Sequence, residues 1–136
     1  MGAQPTVGRA HDRPRRSLRF NLAFNKGMAF SQATGAGPVI GALGLVIVIV
    51  VVSWMRRSAR GAAAVAASLI VGGAIGNLVD RLLRGDAWLR GAVVDFVDLQ
   101  WFPVFNLADS AITVGAVTMA LAALRQSNDH RAEPRA

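Results

Sequence analysis

The chain has 136 residues, of which 53% are hydrophobic, carries a formal charge of +7 and contains no cysteine. Its mean hydropathy of +0.39 and its length fit one domain in a bilayer better than a water-exposed globule. Without cysteine there are no disulfides, no thiolate catalysis and no cysteine-ligated metals. His11 and His130 stand in polar termini with no third ligand or orienting partner, so neither a metal site nor a Ser-His-Asp triad is expected. Arginines carry nearly all the positive charge and flank apolar runs. That is a topology pattern, not the aromatic-interleaved stripe of a nucleic-acid binder, and no nucleic-acid partner is expected.

Residues 1–17 are polar and basic, carry Pro5 and Pro14, and show no helical or strand period. They read as a disordered tail. The basic run Arg9 to Arg19 is not followed directly by an apolar core, so a signal peptide is not expected there. From Leu18 to Phe30, apolar residues alternate loosely through Leu18, Phe20, Leu22 and Phe24. Asn25 and Gly27 then suit a turn between short extended pieces at a membrane surface.

Val39 to Met55 has no charge, and at about 1.5 Å per residue it covers most of a hydrocarbon core roughly 30 Å thick. Its β-branched run does not make it a strand, because a spanning segment must close its own backbone hydrogen bonds. Residues 39–55 are therefore a predicted transmembrane helix. Residues 62–79 form the second span, in which Gly72 and Gly76 make a GxxxG step suited to close helix contact. No lysine follows these glycines in the manner of a phosphate-binding loop. Between Leu82 and Phe105, Gly85, Gly91 and Pro103 break helices, AVVDFV favours an extended segment, and Trp88 and Trp101 suit an interfacial belt. Asn106 is a predicted N-cap for a third span over residues 107–124, with a disordered tail at 126–136. The expected fold is a mainly α membrane protein of three transmembrane helices, with residues 18–125 as the membrane domain.

Arg56, Arg57 and Arg60 mark the cytoplasmic end of the first span, and Arg125, Arg131 and Arg135 that of the third. The loop between the second and third spans is then extracytoplasmic. The same order leaves the N-terminus outside, although Arg9, Arg13, Arg15, Arg16, Arg19 and Lys26 argue for inside. The expectation is that a preceding transmembrane helix is missing from this sequence.

Acids next to membrane segments are functional candidates by default. Asp95 lies among Val93, Val94 and Phe96, with no cation nearer in sequence than Arg90. Asp109 lies three residues after Asn106, where an acid also caps the first helical turn, and spacing alone leaves catalysis and capping equally open. Two carboxylates brought together in apolar surroundings cannot both ionise and share a proton, the state an aspartic protease uses. Asp80 reads as a helix-end ion pair with Arg84, Asp98 as a solvated loop residue and Asp86 as a turn residue. Asn77 and Arg81, at i and i+4, share one helix face.

The segments AFNKGMAF, GGAIGNLVDR, GAVVDFVD and FNLADSAI, in this order and separated by apolar spans, closely resemble the lipoprotein signal peptidases, or signal peptidase II. The resemblance covers about Leu18 to Leu124. It implies an integral membrane aspartic endopeptidase with four transmembrane helices and a small extracytoplasmic β-like cradle. Such an enzyme cuts prolipoproteins immediately before a diacylglyceryl-modified cysteine and needs no metal or cofactor. Asp95 and Asp109 match its catalytic pair, and Asn25, Gly27, Asn77, Arg81 and Asn106 match positions lining the substrate site. The implied partners are lipid-modified prolipoproteins and membrane lipids. The implied setting is the bacterial inner membrane, with a monomer whose site faces the extracytoplasmic side. Family members begin with a transmembrane helix carrying an aspartate and a lysine, which Met1 to Arg19 does not match. The alternative is therefore an N-terminally truncated, inactive remnant acting only as a small multi-span membrane protein. A proton-coupled transporter lacks its usual repeated halves here, and a Ser-Lys protease using Lys26 lacks a desolvated lysine.

Overall fold

The computed structural model describes residues 18–27 and 36–132. The expected disordered tail at 1–17 and the further extended piece at 28–30 lie outside the described residues, as do residues 133–136. Strand β1 (Arg19–Asn25) is followed by helices α1 (Gly37–Ser58) and α2 (Ala62–Leu83), strand β2 (Val93–Asp98) and helix α3 (Leu107–Ala132). All three helices are long and apolar enough to cross a membrane, with mean hydropathies of 2.5, 1.9 and 1.7 over Gly37–Arg57, Ala62–Leu83 and Leu107–Ser127. The expected spans are each present but longer. In particular, α3 continues to Ala132, so residues 126–132, expected to be disordered, extend the helix. Residues 125–132 contain no glycine or proline, and the first breaker is Pro134.

The helices stand in a row with α2 in the centre. It packs against both α1 and α3, and among the described residues the backbones of α1 and α3 do not approach each other closely. The α2–α3 seam is built from small residues. Gly73 faces the backbone of Ala108 and the side chain of Ile112, and a Cβ on Gly115 would lie 2.7 Å from the carbonyl oxygen of Ala66. Close approach of this kind supplies the van der Waals contact that holds helices together in lipid. The expected Gly72–Gly76 step is thus displaced: Gly72 faces open space, and Gly73 with Gly76 forms the contact. Spacing alone could not choose between the adjacent glycines.

β1 and β2 pair antiparallel, with Ala23 opposite Asp95 and Asn25 opposite Val93, and a bulge lies between Phe20 and Ala23. The bulge re-aims the end of β1 by setting two residues against one. Between α2 and β2 the chain folds back over the helix end, where Gly91 N–H donates to the Arg81 carbonyl at 2.9 Å. Leu89, fully buried with φ of 58°, fills the space left by Gly41 on α1, where a Cβ would come within 3.0 Å of it. This loop therefore ties the end of α2 to the start of α1.

Candidate active site

Three buried residues among those described are polar or charged: Arg81, Asp95 and Asn106, at 5%, 3% and 5% exposure. They come from α2, β2 and the residue before α3, and they meet at one place. Every expected site residue is found there.

Asp95 is placed by the two-residue period of β2, which turns Val93 and Asp95 to the buried side. Its Oδ1 accepts from Asn106 Nδ2 at 2.8 Å and its Oδ2 from Asn25 Nδ2 at 3.1 Å. Asn25 is held by an Asx turn in which its Oδ1 accepts from Gly27 N–H at 3.0 Å. Gly27 has φ of 96°, and a Cβ there would sit 2.6 Å from the Gly37 nitrogen at the start of α1. Only glycine meets both demands.

Asp109 stands in the first turn of α3. Asn106 and Asp109 form a reciprocal capping box: Asp109 N–H donates to Asn106 Oδ1 at 3.0 Å, and Asn106 N–H donates to Asp109 Oδ2 at 3.1 Å. The other oxygen of Asp109 accepts from Asn77 Nδ2 at 2.8 Å. Capping and site membership, open alternatives by spacing, therefore coexist in one carboxylate. Asn106 links the parts, since its Nδ2 also donates to Asn77 Oδ1 at 3.1 Å.

Burial is the largest influence on Asp95 and pushes its carboxyl above the ordinary carboxylate range. The Asn25 and Asn106 donors oppose this, the negative charge of Asp109 adds to it, and the Arg81 guanidinium opposes it. Arg81 interacts electrostatically with both carboxylates, and its Nη1 lies 3.5 Å from the Gly91 carbonyl oxygen. A buried site holding one guanidinium and two carboxylates is neutral when one carboxylate keeps its proton, and neutrality is what burial favours.

The pair opens onto a cavity of about 310 Å³ whose wall includes Asn25, Gly27, Asn77, Arg81, Asp95 and Asp109. The cavity continues down the helices between Ile40, Leu43 and Ile47 of α1 and Ile70, Leu78 and Ile112 across from them. Asp109 also borders a second groove of about 570 Å³, walled by Trp101, Phe102, Phe105 and Val114. Trp101, Phe102 and Phe105 form an edge-to-face series with ring centroids 5.9 and 5.8 Å apart.

Residues 6–125 match the family described as signal peptidase (SPase) II. The chain belongs to the signal peptidase II family. It is 43% identical over 103 residues to the lipoprotein signal peptidase of Mycobacterium leprae, covering 76% of this chain and 51% of that one. Against the lipoprotein signal peptidase of Pseudomonas putida it is 46% identical over 113 residues, covering 75% and 63%. The chain thus spans about half to three-fifths of the length of these relatives. Two solved bacterial membrane enzymes share its fold. One has a TM-score of 0.74 and 29% identity over 91% of this chain and 75% of that one. The other has a TM-score of 0.68 and 32% identity over 82% and 72%. This chain's three candidate membrane spans and two-stranded antiparallel sheet thus resemble bacterial membrane enzyme structures.

Sequence reasoning missed three residues around the site. Asp80 pairs with Arg84 at 2.8 Å as expected, but its other oxygen accepts from Val94 N–H in β2. Leu89 and Gly73 likewise gave no sequence signal beyond their residue types. Asp98 and Asp86 lie apart from the site, Asp98 accepting from Gln100 N–H at 2.8 Å and Asp86 exposed.

Proposed function

We propose that the chain is a membrane aspartic endopeptidase that removes signal peptides from prolipoproteins before a diacylglyceryl-modified cysteine. The observation that carries the reading is the pair itself: Asp95 and Asp109, from a strand and a helix start, bridged by Asn106 at the head of an apolar cavity. Family membership supports it. The grooves on either side of Asp109 suit a substrate that is apolar on both sides of its scissile bond, a signal segment on one and acyl chains on the other.

In this mechanism Asp95, whose carboxyl burial pushes above the ordinary carboxylate range, is the acid that donates to the scissile carbonyl oxygen, while Asp109 takes a proton from the attacking water. Water oxygen bonds to the carbonyl carbon and gives a neutral gem-diol. On collapse one hydroxyl returns its proton to Asp95, the C–N bond breaks, and Asp109 protonates the leaving amine of the cysteine residue. Asn25, Asn77 and Asn106 hold the two carboxylates in register, and Arg81 limits the charge of the site. The protein acts as a monomer with membrane lipids around α1 and α3. Arg56, Arg57 and Arg125 at the ends of the spans support a site on the extracytoplasmic side of the cell membrane, by the preference of arginine for the cytoplasmic face.

The test is cleavage of a lipid-modified prolipoprotein by membranes containing this chain, beside Asp95→Asn and Asp109→Asn. Activity in the unmutated chain and none in either variant supports the pair. Full activity in one single variant rules it out.

A further inference from the structure

The outer edge of β2, away from β1, is closed on both sides of Asp95. Phe96 N–H donates to the Phe105 carbonyl at 3.0 Å, and Val94 N–H donates to Asp80 Oδ2 at 3.1 Å. The second of these bonds joins the strand to α2, the helix that carries Asn77 and Arg81. Arg84 Nε holds the other Asp80 oxygen at 2.8 Å, which fixes the carboxylate's rotamer. Gly91, the last glycine before β2, lies so close to the Asp80 and Arg81 carbonyls that a Cβ there would be 2.6 Å from each oxygen. The strand therefore meets α2 at two points on the approach to Asp95, and one of them is a side chain.

We infer that Asp80 is a positioning residue of the active site: its carboxylate pins Val94 to α2 and thereby sets where β2 delivers Asp95 to Asn25 and Asn106. An exposed i,i+4 pair with Arg84 is worth little by itself, so the backbone bond carries the role. Without it, β2 keeps its pairing with β1 but loses its anchor to the helix bearing the rest of the site. A displacement of about 1 Å is enough to cost roughly 10²-fold in turnover when reacting groups must be aligned.

The proposal rests on the endopeptidase reading, so its test has one arm that measures cleavage and one that does not. Asp80→Ala, Asp80→Asn and the control Asp86→Asn are made in the full chain. Each is assayed for cleavage of a lipid-modified prolipoprotein from pH 5 to 9. Each is also titrated by carbon NMR of labelled aspartate carboxyls, the Asp95 signal being assigned by its loss in Asp95→Asn. Expected is a fall of roughly 10²-fold in kcat with little change in KM for Asp80→Ala. Its Asp95 midpoint and the alkaline limb of its activity both move to higher pH, because Asp95 loses alignment with its two amide donors. Asp80→Asn, whose amide oxygen still accepts from Val94 N–H, recovers most of both readouts, and Asp86→Asn matches the unmutated chain. The inference is overturned if the Asp95 midpoint in Asp80→Ala is unchanged, whether or not cleavage falls, since a uniform loss at all pH values reports instability only. It is overturned equally if Asp80→Asn is as impaired as Asp80→Ala. Should the unmutated chain fail to cleave, the endopeptidase reading falls while the carboxyl titration still decides the role of Asp80.

Discussion

Asn106→Ala isolates the residue on which both carboxylates depend. The change removes the 2.8 Å bond to Asp95, the 3.1 Å bond to Asn77 and the 3.0 Å cap on Asp109 N–H, while the backbone bond from residue 106 to Asp109 remains available. Loss of the N-cap costs about 1 kcal/mol of stability, and the stranded Asn77 oxygen adds roughly 1–3 kcal/mol unless water reaches it. The neutral Asn106 donor to the protonated Asp95 is worth about 0.5–1.5 kcal/mol, which as lost alignment of Asp95 is roughly two- to twelvefold in kcat/KM. Asp95 also loses one of the donors that favour its anion, so its already raised pKa rises further and the alkaline limb of activity moves to higher pH. The assay is prolipoprotein cleavage across pH in detergent or nanodiscs, with a thermal melt of the same preparation. Cleavage at the unmutated rate would refute the bridging role. So would a lowered melting temperature with an unshifted pH profile, which would leave Asn106 as a helix cap only.

Asp95 also sets a stability dependence on pH whose sign follows from its raised pKa. The folded state holds the proton more tightly than the unfolded chain, so this contribution is full below the ordinary aspartate value of about 3.9 and is lost as pH rises through the folded value. Asp95→Asn is therefore expected to melt higher than the unmutated chain at pH 8, with the difference closing toward pH 4; an equal difference at both would refute the assignment. Gly73→Leu is expected to separate α2 from α3 at Ala108 and Ile112 and to lower the melting temperature sharply. Gly72→Leu, facing open space, is expected to leave it within a few degrees, and matching melts would refute the seam. Gly27→Ala combines φ of 96° with a clash on Gly37 and is expected to reduce cleavage at least tenfold through Asn25. Undiminished cleavage would show that the Asx turn is not needed.

The helices were legible because length and charge-free composition dictate them once the solvent is lipid, whatever the β-branched run in α1 favours in water. Asp95 and Asp109 were legible as isolated acids in apolar surroundings, and Asn106 as a helix start. The adjacent glycines of α2 were not separable, since the choice between Gly72 and Gly73 depends on the angular position of α3, which has no local signature. The pairing of Asp80 with Arg84 was legible, but its second bond was not, for a related reason. Its partner four residues on is visible in sequence, whereas Val94, reached only after the loop folds back over the end of α2, is not.

The way the two acids are supported explains why they differ in character. Asp109 is fixed by its own helix: the capping box with Asn106 needs only the first turn of α3, so its position follows from local sequence. Asp95 is on a short edge strand with no such local device, and its position depends on β1 through Asn25, on the α3 cap through Asn106 and on α2 through Val94 and Asp80. Changes distant in sequence should therefore act on Asp95 far more than on Asp109. Burial falls on the same residue, so the acid assigned the proton is also the one whose ionisation reports how well β1, α2 and the start of α3 are assembled around it.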